Sequence, residues 1–385
     1  GIRSVERSRG LGDVYKRHTL NRDARRKNLL KDLSKTWVVQ RLRQIELSAV
    51  PGWIGSKVAT ASRYQHSLNV GELSLLVSGD NEDEQFLLTA AAILHDAGAS
   101  PFPHLSDQVM REILGFSHEG AVEFAFENSP LKDSQVLENY GLNLSEVASI
   151  IEGKHRLSRF LHGFPDLDNA DNIYRFILSI PGRPLGEPSY HPSEIASSMS
   201  LEDEESTIPE NLKKRWMNDF KRTYSYLWND ELNMIGWTML GRALRLLREE
   251  LTPEFFRLTN KEAFQIIKLK IPRLAEGLES REFQIIFDRK YVEFKGEAQK
   301  LSDPANIWKI EKILCEEFNL EEWSLGLTVD QPLLGETPDH WRVYLVSRKG
   351  NEKPKMLLED MLSDSIPFNN SFEEGELQNK PNINV

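Results

Sequence analysis

The chain has 385 residues, 39% hydrophobic and 28% charged, with a formal net charge of −11. The length suits about two to three domains, or one large helical domain with an appendage, and the composition is that of a globular protein. The acidic balance argues against nucleic-acid binding over the whole surface, no run approaches the ~20 apolar residues of a membrane span, and the single cysteine, Cys315, excludes a disulfide framework or a multi-cysteine zinc site. With no signal-peptide pattern at the amino terminus, the expected compartment is the cytoplasm.

Residues 1–31 carry many Arg and Lys and few large apolar side chains, and predict a solvated basic arm. A helical pattern starts at Leu29, runs through Gln40-Arg41-Leu42-Arg43 and ends near Pro51-Gly52. Arg63 to His66 opens an amphipathic helix. The acidic run Asp80 to Glu84 leads into an apolar helix, Phe86 to Leu94, which is apolar on nearly every face and so should be buried. After Pro101-Phe102-Pro103, Leu105 to Leu114 predicts a helix with Gly115 at its C-cap. Ser117 is suited to cap the next helix, which opens with His118-Glu119. A helix over Val147 to Ile151 leads to Lys154, His155, Arg156 and Arg159, a solvated basic face. Residues 32–180 form the core of this reading. Residues 181–209 are rich in Pro, Ser, Gly and acid and predict a surface loop or insertion. Helices return over 210–300. Residues 301–365 predict a small mixed α/β region, with a helical pattern from Asp303 to Trp323 and a strand at Arg342 to Ser347. Residues 366–385 predict a polar, disordered tail.

The buried helix ends in His95-Asp96. A histidine and an aspartate delivered to the interior need strong partners or a metal. Neighbouring helical side chains point about 100° apart, so the doublet suits adjacent positions on one ion. Seven of the nine histidines, His66 to His191, lie in one stretch of the chain together with several aspartates. Imidazole and carboxylate donors from separate helices can surround one divalent ion, whether Mn, Mg, Fe, Co, Ni or Zn, and leave room for water and a phosphate oxygen. Simpler roles stay open to single members: His66 as a surface histidine at a helix start, His104 as a cap, His118 as a core histidine bonded to backbone.

The series His66, His95-Asp96, Asp168 resembles the HD superfamily of metal-dependent phosphohydrolases. More narrowly it resembles the deoxynucleoside triphosphate triphosphohydrolase branch. The motifs are Gln40-Arg41-Leu42-Arg43; Arg63-x-x-His66; His95-Asp96-x-Gly98 with Pro101, Phe102, His104 and Asp107; His118-Glu119; Asp168-x-x-Asp171 with Arg175; and Arg289-Lys290-Tyr291 with Gly296-Glu297. The similarity covers roughly residues 35 to 300. It implies a mainly α-helical HD fold in which His66, His95, Asp96 and Asp168 hold one divalent metal. It also implies catalytic groups His104 with Asp107 and His118 with Glu119, and substrate contacts from Arg63, Asp171 and Arg175. The implied reaction is attack at the α-phosphate, giving a nucleoside and tripolyphosphate, in a homo-oligomer with a nucleotide activator. The branch continues Asp171 with a tyrosine and closes with an aspartate; here these positions are Asn172 and Phe176. The alternatives are a phosphatase or phosphodiesterase on another nucleotide, or a nucleotide sensor with little turnover.

Overall fold

The computed structural model describes residues 23–55, 59–203, 208–330, 341–363 and 366–367. They form two compact units, one from the chain up to Thr223 together with Glu250–Ile266, the other from Tyr224–Glu249 together with the chain from Ile267 onward. The fold is mainly helical, with a small antiparallel sheet in the second unit, as the sequence predicts.

After α1 (residues 23–33) and α2 (Trp37–Gln40), the first unit, which also holds α7 (Ser134–Asn139), is built around α3 (Arg63–Ser74) and α4 (Glu82–Leu94), which pack against each other. Asn81 caps α4 by accepting from the Glu84 N–H, and Glu82, Asp83 and Glu84 in the first turn suit the positive end of the helix dipole. Every residue from Gln85 to Leu94 is buried, because α3 lies on one side of α4 and α8 (Leu144–Ile151) on another. Helix α5 (Asp107–Leu114) ends at Gly115, whose φ of +82° is the left-handed C-cap that glycine adopts freely. Helix α9 (Leu167–Ser179) packs on α3. Asp166 caps it, accepting from the Asn169 N–H at 2.7 Å.

Several expectations need correction here. Residues 23–33, the last part of the predicted arm, form a helix. Its Arg26 is buried and donates to the Ser74 carbonyl (2.8 Å) and to Thr89 Oγ1 (3.1 Å). A basic residue is stable inside because these oxygens satisfy its guanidinium. Residues 1–22 lie outside the described residues. Ser117 makes no side-chain cap; a 3-10 turn, His118–Ala121, precedes α6 (Val122–Glu127). The 181–209 stretch is ordered where described: His191 and Glu194 form a capping box on α10 (Pro192–Ala196), and the buried Tyr190 donates to the Ala170 carbonyl at 2.6 Å.

The expected helical run over 210–300 is interrupted. Helices α11 (Glu210–Asn229), α12 (Glu231–Leu247), α13 (Asn260–Lys270) and α14 (Pro272–Glu279) are followed by strand β1, Phe283–Glu293. The sheet order is β2-β3-β1-β4, with β2 at Leu325–Asp330, β3 at Trp341–Arg348 and the two-residue β4 at Ile366–Pro367. The pair Ile366–Pro367 thus belongs to the sheet, while residues 368–385 of the predicted tail lie outside the described residues. Phe287, Tyr291, Leu325, Leu327, Val343 and Leu345 share a core with residues of α15 (Pro304–Glu317), among them Leu314 and Cys315. The buried cysteine fills that core, as expected of a small apolar side chain.

Candidate metal and phosphate site

The four residues of the series converge. His66 stands in the first turn of α3, His95 and Asp96 follow the end of α4, and Asp168 stands in the first turn of α9. His66 Nε2 lies 3.1 Å from His95 Nε2, 2.8 Å from Asp168 Oδ1 and 4.0 Å from Asp96 Oδ2. His95 Nε2 lies 3.6 Å from both Asp96 Oδ2 and Asp168 Oδ1.

The other side of each donor is already committed. His66 Nδ1 pairs with Asp171 Oδ2 at 2.7 Å, and His95 Nδ1 donates to the Ala92 carbonyl at 2.8 Å. In the neutral imidazoles that tautomer leaves both Nε2 lone pairs facing one another. Two such lone pairs cannot bond to each other, but both can bond to a cation. Asp96 Oδ1 is paired with Arg63, while Asp96 Oδ2 is buried with no hydrogen-bond partner among the described residues. A buried carboxylate oxygen without a donor is costly unless a cation meets it. These residues fit a divalent ion, and the chemistry of the set, imidazole with carboxylate, suits a transition metal or Mg.

The electrostatics agree. Burial works against charge on His66, yet its hydrogen bonds to Asp168 and Asp171 outweigh that and push its pKa up to about 10. Burial raises the Asp168 pKa, and the charges of His95 and His66 then bring it down to about 2. Against its burial, Arg63 and the two histidines hold Asp96 well below the usual carboxylate range. Carboxylates thus outnumber their fixed partners; without a metal, His66 takes a second proton on Nε2 toward Asp168, and a metal would replace that proton on binding.

A second group lies in the same unit. Asp107 accepts from the His118 backbone N–H (3.2 Å) and pairs with His118 Nδ1 at 2.7 Å. His104 Nδ1 is 3.6 Å from Asp107 Oδ2, and the two imidazole rings meet edge to face with centroids 4.9 Å apart. His118 is buried and His104 is exposed. Burial opposes charge on His118, but Asp107 overrides it and raises the pKa. The three donor atoms lie within 4.8 Å of one another, close enough for a cation as well. Gly98 joins the two groups: a Cβ there would fall on the His118 carbonyl and within 2.7 Å of Ala121 Cβ, so only glycine lets the His95-Asp96 turn pack this closely.

The structure brings together His66, His95, Asp96 and Asp168, and separately His104, Asp107 and His118. Four expected roles change. Glu119 is exposed, and the carboxylate that meets His118 is Asp107, eleven residues upstream. Arg63 is buried behind Asp96 rather than turned to a phosphate. Asp171 is fully buried and already engaged by His66, Asn69 and Arg175, so it orients His66 and has no free oxygen for a substrate. Arg175 is held by the same carboxylate. Sequence reasoning missed Asn69, whose Nδ2 donates to Asp171; its place three residues after His66, on the same face of α3, is the signal that was available. It also gave no role to Arg41, which is buried and donates to the Ala97 (3.3 Å) and Ala99 carbonyls of the His95-Asp96 turn. The Arg289-Lys290-Tyr291 segment lies on β1, where Arg289 pairs with Glu359 at 3.1 Å.

Residues 63–175, from Arg63 to Arg175, match the HD domain family. Over 136 residues the chain is 27% identical to an uncharacterized protein of Methanocaldococcus jannaschii, a match spanning 35% of this chain and 27% of that one. It is 22% identical over 266 residues to the uncharacterized protein YdhJ of Bacillus subtilis, spanning 66% of this chain and 74% of that one. Among solved structures, the fold is similar to a phosphohydrolase of Bacteroides thetaiotaomicron (TM-score 0.56, 15% identity, 83% of this chain and 95% of that one). It is also similar to a hypothetical protein of Aquifex aeolicus (TM-score 0.59, 14% identity, 87% and 95%). Among the described residues, no helix is long and apolar enough to cross a membrane.

Proposed function

We propose that this protein is a metal-dependent phosphohydrolase, and that its substrate is a nucleoside triphosphate, most simply a deoxynucleoside triphosphate. The observation that carries the reading is the buried Asp96 Oδ2 with no partner, beside two histidine nitrogens and Asp168 that share its demand for a cation. His66, His95, Asp96 and Asp168 would hold the ion, which when bound supplies Lewis-acid polarisation of a phosphoryl oxygen. The similarity to a protein described as a phosphohydrolase supports the same class.

The protein's own groups account for the proton. His118, whose charged form Asp107 favours, offers its Nε2–H to the leaving oxygen. Water attacks the α-phosphorus, the bond from phosphorus to the nucleoside 5′-oxygen breaks, and that oxygen takes the proton. The products are a nucleoside and tripolyphosphate, and the proton lost by the water goes to solvent through the exposed His104. A homo-oligomer and a nucleotide activator complete the proposal.

A second reading, a phosphatase or phosphodiesterase acting on another nucleotide, is favoured by Asn172 and Phe176, which replace the tyrosine and aspartate of the triphosphohydrolase branch. The test is to incubate the protein with Mn²⁺ and each dNTP, NTP and cyclic nucleotide, alone and in mixtures, and to separate the products by chromatography. Nucleoside plus tripolyphosphate is the expected result. Inorganic phosphate or a monophosphate as product selects the second reading. No turnover in any mixture refutes both.

A further inference from the structure

The segment that carries His104 is bent against the preference of its residues. Phe102 and His104 have φ of +52° and +66°, a region that residues other than glycine rarely occupy. The flanking Pro101 and Pro103 cannot donate backbone hydrogen bonds. Part of the turn is closed locally: the Leu105 and Ser106 N–H groups donate to the Phe102 carbonyl at 3.1 and 3.2 Å. The Phe102 N–H instead finds its acceptor far along the chain, donating to Asn260 Oδ1 at 3.1 Å. Both residues are fully buried.

Asn260 is fixed before it reaches this loop. It is the first residue of α13, directly after Thr259, and Thr259 and Glu262 cap each other: Glu262 Oε2 accepts from the Thr259 N–H at 2.8 Å, and Thr259 Oγ1 accepts from the Glu262 N–H at 3.3 Å. Arg41 ties the same two segments together, donating to the Leu258 carbonyl (3.3 Å) and to the Ala97 and Ala99 carbonyls. Asn260 Nδ2, by contrast, is buried with no partner among the described residues. A side chain serving only to fill the core would avoid that unpaired amide. What Asn260 contributes is its oxygen.

We infer that Asn260 is a positioning residue for His104: its Oδ1 holds the Phe102 N–H and so keeps the strained turn in the conformation that sets the His104 ring against His118 and Asp107. The kinetic half of this inference rests on the proposed hydrolysis; the structural half does not. Two measurements on the full-length Mn²⁺-loaded protein therefore accompany each other: hydrogen–deuterium exchange by mass spectrometry, and steady-state kinetics on whichever nucleotide the wild-type protein turns over. For Asn260→Leu, exchange in peptides covering residues 98–106 rises about tenfold or more while peptides from α4 and α9 stay as in wild type. Its kcat falls about 10- to 100-fold with KM within about twofold. Asn260→Asp keeps an acceptor and holds both quantities within about threefold of wild type. Unchanged exchange over 98–106 in Asn260→Leu overturns the inference. So does a rise spread evenly over α4 and α9, or failure of both variants to fold, since either shows a general role in the core. If the wild type turns over no nucleotide, the proposed function fails, and the exchange data alone decide on Asn260.

Discussion

Two buried clusters of charge in this chain are built on opposite plans. In the second unit, Glu311 is fully buried and its two oxygens accept from Arg242 Nη1 (2.7 Å), Arg245 Nη2 (2.6 Å) and Nε (3.1 Å), and the Leu327 N–H (2.8 Å). Each carboxylate oxygen has two donors, and the cluster needs nothing from outside. In the first unit, Arg63, Asp171 and the Ala92 carbonyl satisfy only the outer atoms of the cluster, Asp96 Oδ1, His66 Nδ1 and His95 Nδ1. Its inner atoms, His66 Nε2, His95 Nε2, Asp168 Oδ1 and Asp96 Oδ2, face one another, and Asp96 Oδ2 has no hydrogen-bond partner among the described residues. Burial and charge do not distinguish the two; the incomplete hydrogen bonding does.

This contrast can be broken by substitution. The double variant His95→Ala, Asp96→Ala is expected to lose turnover by roughly a thousandfold or more, the several kcal/mol that a divalent ion supplies, while still folding. Product chromatography and thermal unfolding check the two halves. Glu311→Ala should do the reverse. It leaves the buried Arg242 and the partly buried Arg245 without their carboxylate and is expected to cost about 3–5 kcal/mol of stability, read by denaturant unfolding, with metal binding per folded molecule unchanged.

The remaining variants sharpen the picture within the first unit. Asp107→Asn is expected to lower kcat about 100-fold and to move its alkaline limb to lower pH. The sign follows from Asp107 raising the His118 pKa: the wild-type acid stays protonated until pH climbs past that raised value, and the variant loses its proton earlier. A pH–rate profile measures the displacement. Asp171→Asn, which weakens the partner of His66 Nδ1, should reduce metal affinity about 10-fold, measured by competition with a chromophoric chelator. Glu119→Gln, at an exposed position outside the His118–Asp107 pair, should stay within about twofold of wild type in kcat/KM.

The convergence of His66, His95, Asp96 and Asp168 was legible because such residues are chemically rare at these positions: His95-Asp96 ends a helix that is apolar all round, and Asp168 opens another. The partners of these four residues were not. Asp168 and Asp171 are three residues apart on one face of α9, so their shared direction could be read from spacing. Which of them faces His66 Nδ1 and which Nε2 depends on how α3 and α9 pack, and no local pattern encodes that. The same holds for Asp107 and His118, joined across a glycine C-cap and a 3-10 turn, and for Arg63, which the packing of α3 on α4 turns toward Asp96. Arg26 looked like part of a solvated arm because its acceptors, the Ser74 carbonyl and Thr89, lie on other helices. Strand β1 was missed for a different reason. Phe283 to Phe287 is a short, nearly continuous apolar run, and such a run suits a buried strand or a buried helix equally well.

The most direct test of the central claim is a metal titration of the wild-type protein and of His95→Ala, Asp96→Ala, with Mn²⁺ binding followed by electron paramagnetic resonance. The account expects one tightly held ion per chain, lost in the double variant and retained in His118→Ala. Binding that survives the double variant, or a wild-type protein that holds no ion, would contradict it.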